Sequence, residues 1–128
     1  MRVLLDTHTF IWWSLTPEKL STSASSLLAD PNTELILSVA SVWEMQIKLQ
    51  LGKLNLSLPL RELIENQQQT NNLELLPIDV SHVWVLENLP RPHKDPFDRI
   101  IIAQATVEQI SILSVDAVFD EYPINRVW

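Results

Sequence analysis

The 128-residue chain has no cysteine, one glycine and no apolar run near the roughly 20 residues that a bilayer span needs. Without cysteine there is no disulfide framework, no thiolate nucleophile and no Cys-based zinc site. The first residues, Met1-Arg2-Val3-Leu4-Leu5-Asp6, reach a charge too early for a signal peptide. These absences lead to the expectation of a cytoplasmic protein with no membrane segment. Basic residues are also scarce: 9 Lys and Arg stand against 16 Asp and Glu, for a net charge of −7. That balance argues against a broad basic surface for indiscriminate nucleic-acid binding. It leaves room for an enzyme that meets phosphates through divalent cations, because the ions supply the positive charge. No Gly-rich phosphate loop, serine elbow or zinc-spaced histidine pair offers a competing chemistry.

What is present reads as one domain over residues 1–128, long enough for a core and too short for two. The chain is organised around His93-Lys94-Asp95-Pro96-Phe97-Asp98-Arg99, which opens an apolar helix through Ile100-Ile101-Ile102-Ala103-Gln104-Ala105. Asp95 fits the N-cap, with Pro96 at the first helical position, where a missing N–H does no harm. Asp98 falls in the first turn, where the helix dipole favours negative charge. The basic residues Arg91, His93, Lys94 and Arg99 fringe this motif, either as a solvated loop or as a guide for a phosphate backbone.

Before and after it, apolar strands alternate with helices. Residues 2–6 read as a buried strand ending in Asp6, and Thr7-His8-Thr9 turns into an apolar helix. A helix within 20–30 precedes a strand at 34–39. A helix from Ala40 then carries Glu44 and ends at Gly52, the position that most often wants glycine. Residues 61–66 form an amphipathic helix fading into a polar run at 67–72, a helix end and loop, and 73–78 a third strand. Asp79 to Leu89 reads as a helix, with His82 structural rather than a ligand. Residues 110–116 repeat the first pattern, a buried strand ending in Asp116, and 123–127 suit an edge strand.

The alternation implies an α/β fold with a mostly parallel sheet and right-handed crossovers. In such a sheet the strand C-termini share one edge, where ligands collect. Asp6 and Asp116 meet there, Asp98 comes within reach, and Glu44 joins from the helix after strand two. Each carboxylate also has a plainer role: Asp6 can cap the following helix, and Glu44 can pair with Lys48 four residues on. Converging carboxylates without interleaved cations repel each other, and the usual resolution is magnesium or manganese. Such a site suits in-line phosphodiester hydrolysis.

The ordered set Leu5-Asp6-Thr7-His8, Ser41-Val42-Trp43-Glu44 with Lys48 and Gly52-Lys53-Leu54, His93 to Arg99 running into Ile102-Ala103-Gln104-Ala105, and Ser114-Val115-Asp116 resembles the PIN-domain ribonucleases. Within them it is similar to the VapC-type toxins of bacterial toxin–antitoxin pairs. The resemblance spans essentially the whole chain. It implies a three-layer α/β/α PIN-like fold and an endoribonuclease that cleaves RNA with Mg2+ or Mn2+. The family's acidic quartet falls on Asp6, Glu44, Asp98 and Asp116, with Glu44 binding metal or orienting the attacking water. Lys94 and Arg99 are secondary candidates for RNA contact, and a cognate antitoxin and a homodimer are the implied partners. The five tryptophans, Trp12, Trp13, Trp43, Trp84 and Trp128, exceed what a core this size needs and point to an interface. Ser114 stands where the family often has Thr, and Glu108-Gln109-Ile110 where a glycine commonly sits. Two rival readings are a catalytically silent PIN-fold binding module and a structure-specific DNA nuclease.

Overall fold

A computed structural model describes residues 1–90 and 94–128; Arg91, Pro92 and His93 of the basic fringe lie outside the described residues. Five strands form one sheet in the order β3-β2-β1-β4-β5: β1 (Arg2–Leu5), β2 (Glu34–Ser38), β3 (Glu74–Leu76), β4 (Ser111–Leu113) and β5 (Arg126–Val127). Every pairing is parallel, so the expected mostly parallel sheet is wholly so among the described residues. Leu5 pairs with Leu37 on one side and with Leu113 on the other. β1 and β4 therefore end level, one residue before β2, and the segments that continue from them emerge on one edge.

Alternation along β1 sets the layers. Val3 and Leu5 point into a core with Phe10, Leu37, Met45 and Leu63, while Leu4 points into a second core with Ile36, Ile101, Ile102 and Phe119. The first core lies under α1 (Thr7–Leu15), α2 (Thr22–Ala29), α3 (Val39–Gln50) and α4 (Leu60–Asn71). The second lies under α6 (Pro96–Glu108) and the residues just after the short α5 (Val80–Val85). Two cores on opposite faces of one sheet make the three-layer α/β/α architecture. The central strands are buried on both faces, which is why they read as continuous apolar runs.

The helix ends follow their local chemistry. Asp95 Oδ1 accepts from the N–H groups of Phe97 and Asp98 at 2.9 and 3.2 Å, capping α6 as its sequence suggests. Gly52 closes α3 with φ +70°, a conformation that burdens residues with a Cβ. Gln109 adopts the same left-handed conformation, φ 56°, after α6, and the next N–H, that of Ile110, returns to the Ala105 carbonyl. The turn before β4 thus forms without glycine. The polar run at 67–72, expected as a helix end and loop, is helical through Asn71. It continues α4 with Leu60, Leu63 and Ile64 on the buried face and ends at Asn72 in the left-handed region.

Candidate active site

The carboxylate of Asp6 is 4% exposed and anchored at both oxygens. Oδ1 accepts from the Thr7 N–H at 2.8 Å, capping α1, and Oδ2 accepts from the Ser114 hydroxyl at 2.9 Å. Both roles open to Asp6 in the sequence therefore hold at once: it starts a helix, and it faces the end of the neighbouring strand. Burial pushes its pKa up. The Ser114 bond, the nearby His8 and the Thr7 N–H pull it partly back, and the charge of Glu44 raises it further. Asp6 and Glu44 are thus close enough to feel each other's charge.

Glu44 reaches the same edge from the second turn of α3. This helix begins directly at the end of β2, where Ser38 Oγ accepts from the Ala40 N–H at 3.0 Å. The Glu44 side chain is 8% exposed, far more buried than a surface ion pair. Oε1 accepts from the Thr7 hydroxyl at 2.8 Å, and Oε2 from the Lys48 ammonium at 2.9 Å. Thr7 Oγ1 also lies 2.9 Å from Ser41 Oγ. A hydroxyl has one proton, and the carboxylate can only accept it, so Ser41 donates to Thr7 and Thr7 to Glu44.

Ser114 extends the edge to the fourth strand. Its Oγ accepts from the Asp116 N–H at 3.0 Å while it donates to Asp6, and so ties the two strand ends together. The Asp116 carboxylate is exposed and accepts from the Val118 N–H at 3.0 Å, capping the short 3-10 turn at Ala117–Glu121. Beside it Arg126 donates to the Ser114 carbonyl and to both oxygens of Asp120, and that Asp120 bond, with the Asp116 charge behind it, raises the guanidinium pKa. Asp98 is half-buried in the first turn of α6, whose Phe97 ring meets Trp43 of α3 edge-on at 5.3 Å.

Of the four predicted carboxylates, direct contacts join Asp6 to Ser114 and through it to the backbone of Asp116, while Glu44 joins Asp6 across Thr7. Among the described residues no three His, Cys, Asp or Glu side chains form a closed metal-holding group. The donors present nonetheless fit a hard divalent ion: all are oxygens, and two buried carboxylates feel each other's charge, with Lys48 on Glu44 and His8 near Asp6. Lys94 is exposed just ahead of α6. Arg99 is engaged elsewhere, donating to the Pro90 carbonyl at 2.6 Å, to the Tyr122 hydroxyl at 3.2 Å and to the Leu86 carbonyl. Thr7 and Ser41 are site residues that sequence reasoning does not single out. Their signal is faint there, a hydroxyl directly after a strand-end Asp and another three residues before Glu44.

Comparison with known proteins agrees with this geometry. A family model described as PIN domain matches residues 3–125. A curated relative, Ribonuclease VapC22 of Mycobacterium tuberculosis, is 31% identical over 104 residues, 80% of this chain and 78% of its own. Among solved structures, VapBC2 from Rickettsia felis bound to a DNA fragment from its promoter superposes with TM-score 0.75 at 15% identity, covering 99% of this chain and 98% of that one. FitAcB from Neisseria gonorrhoeae superposes with TM-score 0.66 at 16% identity over 98% of this chain and 96% of its own. At such identities the structural likeness establishes the fold.

Proposed function

Since the chain belongs to the PIN-domain family, we propose that it is a magnesium- or manganese-dependent endoribonuclease, the VapC-type toxin of a toxin–antitoxin pair. The observation that carries this reading is the buried Asp6 beside Glu44 at the C-terminal edge of a parallel sheet, with Ser114 linking Asp6 to the Asp116 backbone. Two adjacent buried carboxylates are unfavourable in a merely structural setting and useful in one that attracts a cation.

Asp6, Glu44, Asp98 and Asp116 are the residues proposed to hold the metal. The chemistry such an ion supplies is a hydroxide nucleophile near neutral pH and neutralisation of charge on the phosphoryl oxygens. The chain's own groups do the positioning. The Thr7 N–H and Ser114 hydroxyl fix the two oxygens of Asp6, so that its remaining lone pairs face the edge. The Ser41–Thr7 relay fixes one oxygen of Glu44, which can then accept a proton from the attacking water or orient that water. Lys94 is exposed where an RNA phosphate would approach α6, and Arg99 lies behind it with its donors engaged.

The antitoxin partner is proposed from the VapC-type relative and from neighbours that are toxin–antitoxin complexes. A homodimer is proposed from exposed apolar side chains: Trp43, 59% exposed on α3, lines one groove with Val83 of α5, which also exposes Trp84 and Val80. The tryptophans of the first helical region behave differently, since Trp12 meets the Trp128 ring at 6.0 Å. No helix among the described residues is long and apolar enough to cross a membrane, and the proposed location is the cytoplasm.

The test is a panel of RNA and DNA substrates incubated with the purified chain across a magnesium and manganese titration. Cleavage of RNA that stops on chelation is expected. RNA cleavage unchanged in excess chelator overturns the metal mechanism, preferential cleavage of structured DNA favours a DNA nuclease, and no cleavage of either polymer with tight partner binding favours a silent binding module.

A further inference from the structure

Both oxygens of Glu44 are taken, and by groups of different kinds. Oε1 is held by a buried neutral hydroxyl, Thr7, supported by Ser41, all inside the fold. Oε2 is held by Lys48, whose side chain is 37% exposed against 8% for its partner. Its ammonium is a compact point charge on a flexible four-carbon stem, free to leave toward solvent without disturbing the helix. Glu44 also sits within the charge field of Asp6, and Lys48 is the ammonium bonded to its Oε2. The burial separates this contact from an ordinary exposed pair four residues apart on a helix, which contributes little and answers to nothing beyond itself.

We propose that the Lys48 ammonium is a resident counter-cation on Glu44, which a divalent ion binding at Asp6 and Glu44 must displace. This rests on the metal-dependent reading above and deepens it by naming the residue that sets metal affinity. Lys48 is a positioning residue here: it holds Glu44 Oε2 in place when the ion is absent, and it opposes the ion by occupying that oxygen. Thr7 plays the complementary part, holding Oε1 whichever cation sits on Oε2. Metal binding is therefore an exchange of one cation for another at Oε2.

The experiment measures Mn2+ binding by isothermal titration calorimetry, without RNA, for the full-length wild-type chain and for Lys48→Met, Glu44→Gln and the Glu44→Gln/Lys48→Met double variant, with thermal melts confirming that each is folded. Lys48→Met keeps most of the alkyl stem and removes the charge. The expected result is Mn2+ binding tighter by about tenfold in Lys48→Met, because the ion then no longer has to break the partly buried Lys48–Glu44 pair to reach Oε2. In the Glu44→Gln background the same substitution should change affinity little, because Lys48 then has no carboxylate to hold. Unchanged or weaker Mn2+ binding in Lys48→Met overturns the proposal. An equal gain with and without Glu44 also overturns it, since the effect would then be net charge and not occupancy of Oε2. If wild type binds Mn2+, Asp6→Asn abolishes that binding and Lys48→Met changes nothing, the metal reading stands and only the exchange fails; no Mn2+ binding by wild type removes both. Should Lys48→Met fold poorly, Lys48→Gln carries the same expectation.

Discussion

The acidic edge has two halves that use the same residue type in opposite ways. On the α1 and α3 side, Asp6 and Glu44 are buried, each oxygen has a partner, and one partner of each comes from far away in sequence, Ser114 for Asp6 and Thr7 for Glu44. On the α6 and β4 side, Asp95 and Asp116 are exposed and accept from N–H groups two or three residues ahead of them. The first arrangement is held by the fold and strains against its own charge. The second is held by local backbone and would form in any helix start. A carboxylate that caps is satisfied where it stands, whereas two buried carboxylates that feel each other's charge remain poised to take a cation. Asp6 belongs to both kinds, since it caps α1 and is also buried against Ser114.

The sharpest break between the halves is in activity. Asp6→Asn should abolish RNA cleavage, a loss of at least about a thousandfold given what a metal site contributes to phosphodiester hydrolysis, whereas Asp95→Asn should leave the rate within about twofold because Asn is an equally good N-cap. Single-turnover rates on one RNA substrate at saturating Mn2+ make the comparison. If Asp95→Asn is as damaging as Asp6→Asn, the cap itself takes part in the chemistry beside Asp98 and is no mere helix start. Next in size is Ser114. Removing its hydroxyl frees one oxygen of Asp6 and the Asp116 N–H together, so Ser114→Ala should reduce activity by about 10- to 100-fold, as loss of an outer-shell partner typically does. Ser114→Thr keeps the hydroxyl and should recover most of it. Equal losses in the two variants would mean that packing, not the hydrogen bond, matters at this position.

Much of this division is legible in the sequence. The capping half is written locally: Asp95, Pro96 and Asp98 announce a helix start by spacing alone, and the structure agrees. The strand-end positions of Asp6 and Asp116 are legible too, because continuous apolar runs mark buried parallel strands. Glu44 is harder. Its pairing with Lys48 is readable at four-residue spacing, but its burial is not, because Thr7 reaches it from 37 residues away. Arg99 illustrates the same limit. Its charge beside the motif suggests RNA, while its donors meet Pro90 and Tyr122 through packing that no local pattern encodes. The helical run at 67–71 is hidden for another reason: one face of α4 is buried only as far as Ile64, so its last turns carry no apolar period.

A third test reads the strain in the buried half through pH. Burial raises the pKa of Asp6, so the folded state holds that proton more tightly than the unfolded one. Its contribution to stability is fully present at low pH and is lost as pH rises through the folded-state pKa. Metal-free Asp6→Asn has no such proton to give up, and its amide oxygen can still accept from Thr7 or Ser114. In excess chelator it should melt with wild type at low pH and above it at pH 7, the gap widening as pH rises through the folded-state pKa. Thermal melts across that range check it, and a gap between the two proteins that does not widen with pH would mean that Asp6 is not strained by its burial.

The smallest effect belongs to the exposed half and sharpens the contrast by its insensitivity. Asp95 Oδ1 satisfies two N–H groups that the first turn of α6 would otherwise leave to water, and the residue lies in the open. Asp95→Ala removes that acceptor and should reduce stability by about 1 kcal/mol, while Asp95→Asn keeps an oxygen in place and should cost only a few tenths. Neither value should depend on Mn2+, because a cap bonded to backbone N–H groups has no unmet need for a cation. Melts of both variants with and without Mn2+ decide it. A stabilisation by Mn2+ that shrinks in both would place Asp95 among the groups that hold the ion, and would move the boundary between the two halves from the start of α6 to its cap.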